Sequence, residues 1–292
     1  MNPSGGLSVG IVITNCNTEQ KMRHCVKQCD LLEPILDDFV VIDDASAEIP
    51  DPGSKRVRLL RNPSNLGLVG SLNRGITECR SDLVVVFDSD AYPLAPFVQE
   101  IRRTFTEDAA LAMAAFPTFN SRGTRSESTL PEPGVLSILL GQKIYAKIAR
   151  MKPRKPLCVF TCAMVVRKTD FLAAGGFDPQ FDWLDLDLDL SMVFTRREKR
   201  LILLQGLQAF HEGGGSPQTT STRVLRFYLN RWKLLKKHDL LPLAPLVKAA
   251  ILARLCAEWL LLLIAGRMLF PREISREKCR GRMMVIREFS RA

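Results

Sequence analysis

The sequence predicts an α/β fold, a mostly parallel sheet flanked by helices, followed by a C-terminal helical extension. Three observations carry that expectation. Short Val- and Ile-rich runs recur without polar alternation, as in strands buried on both faces. Segments of strand and helix character alternate through the N-terminal third of the chain. Acids or amides stand directly after the first, second and fourth strand-like runs.

The run that anchors the rest is Leu83 to Tyr92, LVVVFDSDAY, where a buried strand stops at Asp88 and Asp90. Ligands of parallel sheets bind beyond the carboxyl ends of the strands. Carboxylate oxygens suit Mg²⁺ or Mn²⁺, ions that commonly hold substrate phosphates. A solvated Asp-rich turn would look the same, so these residues alone leave both readings open.

In chain order, Leu7 to Thr14 is a first strand, closed by the polar turn Asn15–Cys16–Asn17. Glu19 to Leu32 is a helix limited by Pro34. Phe39 to Ile42 is a second strand closed by Asp43 and Asp44, and Arg56 to Arg61 a third. Asn65–Leu66–Gly67 opens a helix that runs to Cys79. In one parallel sheet these strand ends share an edge, so Asn15, Asn17, Asp43, Asp44, Asp88 and Asp90 could line one cleft.

Ala95 to Phe105 is expected as a helix and Ala110 to Phe116 as a strand. The polar stretch Pro117 to Pro133 is expected as a mobile surface loop. Val135 to Arg150 follows as an amphipathic helix, Leu157 to Val166 as a strand, and Lys168 to Ala174 as a helix ended by Gly175–Gly176. Asp182, Asp185, Asp187 and Asp189 then crowd beside Trp183 and several leucines. Acids at a helix start are favoured by the helix dipole, but four exceed what a cap requires. A carboxylate in such a partly apolar pocket is a candidate general base for deprotonating a hydroxyl. Arg200 to Gln205 is a strand. His211, followed closely by Gly213 to Gly215, is expected in a flexible loop whose amides approach a phosphate.

The formal charge of +10 is uneven. From Arg223 onward sixteen Lys or Arg stand against five Asp or Glu, so the first 222 residues are close to neutral. The eight cysteines form no CxxC pair, and a zinc site is not expected. Their apolar surroundings suit reduced thiols in a cytosolic protein. The start MNPSGGLSVG lacks a basic region followed by an apolar run, so no signal peptide is expected.

In the tail, Arg223 to His238 alternates basic and aromatic residues. Ala249 to Phe270 is apolar but interrupted by Arg254, Glu258 and Arg267. Its longest uncharged run, Trp259 to Gly266, falls short of the ~20 residues of a spanning helix. It is either a membrane-surface helix, with basic residues beyond Pro271 over anionic headgroups, or an ordinary helix packed on the sheet.

Taken in order, these segments resemble the family 2 glycosyltransferases, which have the GT-A fold, and within them the rhamnosyltransferase-like group. VGIVITNCNT looks like that family's first strand and turn, with Thr14 where proline is common. VVIDDAS resembles its second-strand acidic turn, and RNPSNLGLVGSLNRGI its Asn-x-Gly segment and helix. VVVFDSDAYP looks like its D-x-D strand, GGFDPQFDWLDLDLDL its Gly-Gly-Phe-Asp and acidic stretch, and FHEGGGS its late His loop. The likeness covers residues 7 to 237.

The resemblance implies residues 1–222 as a GT-A domain, with 1–92 binding nucleotide and 93–222 binding acceptor, and 223–292 as the basic helical extension. It implies a nucleotide-sugar site of Thr14, Asn15, Asn17, Asp43, Asn65, Gly67 and Asp88, with Asp43 on the base. It implies a divalent cation, Mg²⁺ or Mn²⁺, on Asp90, Asp88 and His211, and Asp187 as general base. Leu186 replaces the usual acid there, and a register slip of two nominates Asp185 instead. The activity implied is sugar transfer with inversion to a hydroxyl of a glycan or lipid-linked acceptor. The expected location is cytoplasmic, peripheral on the inner face of the cell membrane. The rivals are a degenerate, non-catalytic transferase acting as a membrane-associated binding module and, further off, a nucleotidyltransferase. The turn NCNTEQ lacks the Gly-rich basic loop of the latter. No nucleic-acid partner is expected.

Overall fold

The computed structural model describes residues 6–149, 157–212 and 220–292. The chain divides into two compact units, Met1–Glu132 with Lys155–Gly215, and Pro133–Arg154 with Ser216–Ala292.

The first unit opens with β1 (Val9–Asn15), α1 (Glu19–Leu32), β2 (Asp38–Asp43), β3 (Arg58–Arg61), α2 (Gly67–Glu78), β4 (Leu83–Phe87) and β5 (Ala91–Pro93). Next come α3 (Val98–Glu107), β6 (Leu111–Ala115), β7 (Thr118–Phe119), β8 (Arg125–Ser126) and β9 (Thr129–Pro131). The second unit then takes α4 (Val135–Leu140) and α5 (Gln142–Ala149). The first resumes with β10 (Leu157–Val159), β11 (Ala163–Arg167), α6 (Lys168–Ala174), α7 (Leu186–Arg196), β12 (Arg200–Leu203) and β13 (Ala209–His211). The helices α8 (Thr220–Lys237), α9 (Ala244–Leu269) and α10 (Arg272–Arg291) complete the second.

The main sheet runs β12-β6-β11-β4-β1-β2-β3. β1 lies parallel to both β2 and β4, while β11 is antiparallel to β4 and β6. The Val-rich runs are buried on both faces because each face is covered. Val9, Ile11 and Ile13 pack in one core with Met22, Cys25 and Cys29 of α1 and Ile101 and Phe105 of α3. The intervening residues face α2, where a Cβ on Gly75 would stand 2.6 Å from Val12 Cγ1. The parallel register aligns Asn15 with Asp43 and Ile13 with Phe87, so the strand ends gather at one rim.

Three expectations are corrected. Pro117 to Pro133 is not one surface loop, although residues 121–124 form an exposed turn. Thr118 is fully buried, and this stretch supplies β7 and β8 to a second sheet, β5-β13-β7-β8, and β9 to a pair with β10. The helix from Val135 breaks at Gly141, whose φ of +81° suits glycine. The strand from Leu157 is two strands, because β10 pairs with β9 whereas β11 enters the main sheet.

Within the second unit, Ile138, Tyr228, Trp232, Leu235, Ile251, Leu255, Val285 and Phe289 form the core. Ala244–Gly266 is long and apolar enough, by length and composition, to cross a membrane, more than the uncharged run alone suggested. Two of its charges are satisfied within the unit. Arg254 donates to the Leu139 carbonyl and the Tyr228 hydroxyl, and Glu258 pairs with Arg282 of α10 at 2.7 Å.

Candidate active site

β4 ends at Phe87, and the chain turns through Asp88–Ser89–Asp90 into β5. The turn is pinned by Asp88 N donating to Cys162 O at 3.2 Å and Ala91 N to Asp88 O at 2.9 Å. β13 pairs antiparallel with β5, setting His211 opposite Ala91. That pairing carries the imidazole to the acids. His211 Nε2 lies 3.8 Å from Asp90 Oδ1, and one ligand atom each of Asp88, Asp90 and His211 falls within 4.8 Å of the others. So His211 ends a strand rather than lying in a flexible loop. Phe210 beside it stacks on Tyr92 at 4.7 Å. Gly213 to Gly215 lie outside the described residues.

Burial, with the neighbouring charge of Asp90, pushes the Asp88 carboxyl up to about 7. Burial holds His211 below its ordinary value despite Asp90 and Glu212, which favours the neutral, ligating imidazole. Two crowded carboxylates and a neutral imidazole fit a hard divalent cation. Lys21 Nζ stands 3.6 Å from Asp90 Oδ2. The sequence did not single it out. Its only signal was a place in the first turn of α1, just after the Asn15–Asn17 turn.

An open cleft of about 740 Å³ adjoins, lined among others by Asn15, Asn17, Thr18, Lys21 and Ser46. A chain of polar groups ties it to the acids. Asn15 Nδ2 donates to Asp43 at 2.9 Å, Thr18 Oγ1 to Asn15 Oδ1 at 2.9 Å, and Thr18 and Ser89 hydroxyls meet at 3.0 Å. Asp43 itself is 0% exposed and is engaged by Asn15, Ser46 and Arg61. Its direct surroundings are therefore protein, and it shapes the cleft through Asn15 and Ser46. Asn17 is tied in by Ser46 Oγ at 2.8 Å. Thr14 is half-buried on β1. Asn65 Nδ2 reaches Cys16 Sγ at 3.5 Å, and its Oδ1 accepts from Gly67, whose φ is +72°. Asp44 is buried and caps the entry to α2 by accepting from Leu66 N at 2.7 Å.

The acidic stretch enters α7 through a strained turn, with Trp183 at φ +56° and Asp185 at φ +67°. Asn73 of α2 fixes its approach, accepting from Phe177 N and donating to Phe177 O, both at 2.8 Å. Asp187 Oδ2 accepts from Thr161 N at 3.4 Å and Oδ1 from Leu188 N at 2.9 Å. Burial and then Asp185 push the Asp187 carboxyl up to about 7, although the backbone amides of Leu188, Thr161 and Asp187 itself oppose this. Asp185 and Asp189 are buried, and Asp182 is exposed. The backbone at Thr161–Cys162 touches both acidic groups, with Cys162 O accepting from Asp88 N and Thr161 N donating to Asp187 Oδ2. Burial, then the charges of Asp88 and Asp187, raise the Cys162 thiol.

The sheet order and the acidic turn closing β4 define a GT-A fold. The chain belongs to the family described as glycosyl transferase family 2, whose profile matches residues 10–171. No curated protein matches it in sequence. Among solved structures it is similar to the mannosyltransferase PcManGT from Pyrobaculum calidifontis in complex with GDP-Man and Mn²⁺. The TM-score is 0.61 at 13% identity, covering 97% of this chain and 87% of that one. GalNAc-T7 with UDP, GalNAc and Mn²⁺ matches with a TM-score of 0.55 at 13% identity, over 76% of this chain and 48% of that one. S. aureus TarS residues 1–349 match with a TM-score of 0.55 at 13% identity, over 78% and 64%. The chain thus spans about half of the GalNAc-T7 structure and 64% of that of TarS.

Proposed function

We propose that the chain transfers a sugar, with inversion, from a nucleoside-diphosphate donor to a hydroxyl of a glycan or lipid-linked acceptor. Residues 1–222 form the transferase part in this reading. The nucleoside occupies the cleft beside Asn15, Asn17 and Ser46, with Thr14, Asn65 and Gly67 at its margin. Asp43 holds Asn15 and Ser46 in place. Asp88, Asp90 and His211 hold a divalent cation, which when bound neutralises charge on the departing diphosphate. Lys21 lies between the cleft and Asp90 and adds a second positive charge for that diphosphate.

The acceptor oxygen attacks the anomeric carbon, the bond to the diphosphate oxygen breaks, and the acceptor proton passes to the Asp187 carboxylate. Direct displacement needs one base and forms no covalent sugar–enzyme intermediate. The observation that carries this reading is the Thr161–Cys162 step, where Cys162 O accepts from Asp88 N at 3.2 Å and Thr161 N donates to Asp187 Oδ2 at 3.4 Å. It supports a base beside the leaving group rather than in a separate region. A carboxyl near 7 suits proton transfer at neutral pH. The transferred sugar in this reading is a hexose or deoxyhexose, the latter favoured by the rhamnosyltransferase-like pattern of the sequence. A cytoplasmic location with the basic tail against an anionic membrane would bring a lipid-linked acceptor within reach.

The test is calorimetry with Mn²⁺ and nucleoside diphosphates, paired with transfer assays. Asp187→Asn is expected to keep metal-dependent binding and lose transfer. Asp90→Ala is expected to lose the metal-dependent binding itself. Transfer by Asp187→Asn at near the parent rate would overturn the assignment of the base.

A further inference from the structure

The two halves of α9 differ in what they expose. After a first turn that exposes Leu246, the helix buries Ile251 and Leu255, and from Ala249 to Ala257 its exposed positions are small: Ala249, Ala250, Ala253, Cys256 and Ala257. Beyond Trp259 the exposed positions become large and apolar. Leu260, Leu261, Leu263 and Leu269 are all exposed, Ile264 is 81% exposed and Met268 88%. α10 returns against α9, and the two approach closely at the bend. A Cβ on Gly266 would stand 2.5 Å from Ser275 Oγ. The bend also carries exposed Ile274 and a basic collar of Arg272, Arg276, Lys278 and Arg280, against Glu273 and Glu277. Lys278 Nζ sits 4.1 Å over the Phe270 ring, holding a cation at the edge of the apolar tip.

We propose that the tip of the α9–α10 hairpin inserts into one leaflet of an anionic bilayer, its basic collar at the headgroups. This rests on the membrane-facing reading of the tail and not on the transfer chemistry. Length decides between insertion and spanning. The first half of α9 is committed to the core around Ile251 and Leu255 and to the Arg254–Glu258–Arg282 pairs. The free half, Trp259 to Leu269, is about 17 Å long at helical rise. That is little more than half of the ~30 Å hydrocarbon core. An apolar patch of this kind with a cationic rim fits an interface of lipid chains and anionic headgroups. An acidic protein groove would not call for so many exposed large aliphatic residues between Leu260 and Leu269.

The test is flotation of the full chain with vesicles of phosphatidylcholine and phosphatidylglycerol in equal parts, and with phosphatidylcholine alone. The parent chain is expected to float with the mixed vesicles and far less with the neutral ones. Ile264→Glu with Met268→Glu should lower the bound fraction roughly tenfold on the mixed vesicles. Arg272→Gln, Arg276→Gln and Arg280→Gln together should remove the preference for phosphatidylglycerol. Failure of the parent to float, or equal flotation of the Glu variant, overturns the proposal. So does a parent dimer that the Glu variant makes monomeric without either binding vesicles, since a second copy would then cover the tip. Unchanged melting temperatures establish that the variants fold. Mn²⁺-dependent nucleoside diphosphate binding in the same variants is expected to match the parent. Its absence in all of them would count against the transferase reading and leave the vesicle result standing.

Discussion

The rim of the main sheet and the tip of the α9–α10 hairpin break the usual partition of residues in opposite ways. At the rim, carboxylates are drawn partly out of water, and burial pushes Asp88 and Asp187 up to about 7. At the tip, leucine, isoleucine and methionine are left in it. Each departure costs free energy unless something absent from the isolated chain repays it. A buried acid asks for a cation or a proton, whereas an exposed aliphatic run asks for an apolar partner. The two regions are therefore separable. Changing charge at the rim should alter chemistry and stability together, and changing the tip should alter neither.

The largest effect is expected at Asp187. Replacing it with Asn should lower transfer by a factor on the order of 10²–10⁴, the usual worth of a positioned base. In the parent enzyme, transfer should fall as pH drops through about 7, because the protonated carboxyl cannot accept the acceptor's proton. The same substitution should stabilise the fold. The folded carboxyl titrates near 7, above its unfolded value of ~3.9. Between those values the folded chain keeps a proton that the unfolded chain has lost, so stability falls as pH rises, and above 7 the full cost is present. Asn carries no such cost. Asp187→Asn should gain about 1–3 kcal/mol at pH 8, allowing for partial exposure, and little at pH 4. Thermal melts at both pH values check this. Asp185→Asn should leave substantial transfer activity. If it instead abolishes transfer while Asp187→Asn does not, the base lies two residues earlier.

Next in size is His211, the third ligand of the proposed metal site. His211→Ala should weaken Mn²⁺ affinity about 10–100-fold, measured by titration calorimetry, while the two carboxylates retain residual binding. Phe210→Ala should reproduce part of that loss without touching a ligand, because the Tyr92 stack helps seat β13.

How far this was legible in sequence depends on the range of the interaction. β1, α1, β2, α2 and β4 follow from local apolar runs and their turn residues. The convergence of Asn15, Asp43 and Asp88 follows from parallel pairing alone, since strand ends in such a sheet share a rim. The contributions of β5, β7 and β13 did not. These strands are two or three residues long and take their order from partners more than 80 residues away, as in the β5–β13 and β7–β13 pairs. Pattern reading sees polar loops there, and so it placed His211 in a flexible segment. The burial of Asp43 was equally hidden. An acid after a strand reads as solvent-facing unless Asn15, Ser46 and Arg61 are known to close over it. In the tail, composition announced an apolar helix. It could not show which half the core would claim, because that depends on Glu258 finding Arg282 on the returning helix.

The smallest expected effect sharpens the rim itself. Lys21 is half-exposed at the mouth of the cleft, and its ammonium stands 3.6 Å from Asp90. A solvated lysine contributes modestly through a single charge contact. Lys21→Met should therefore raise the donor KM several-fold, with kcat little changed, and Lys21→Arg should restore most of it. A lysine that only braced Asp90 would act differently. Its loss would change Mn²⁺ affinity in the absence of nucleotide and leave the donor KM in step with that change. Measuring Mn²⁺ binding without nucleotide and the donor KM at saturating Mn²⁺ separates a group that meets the diphosphate from one that merely accompanies the acid.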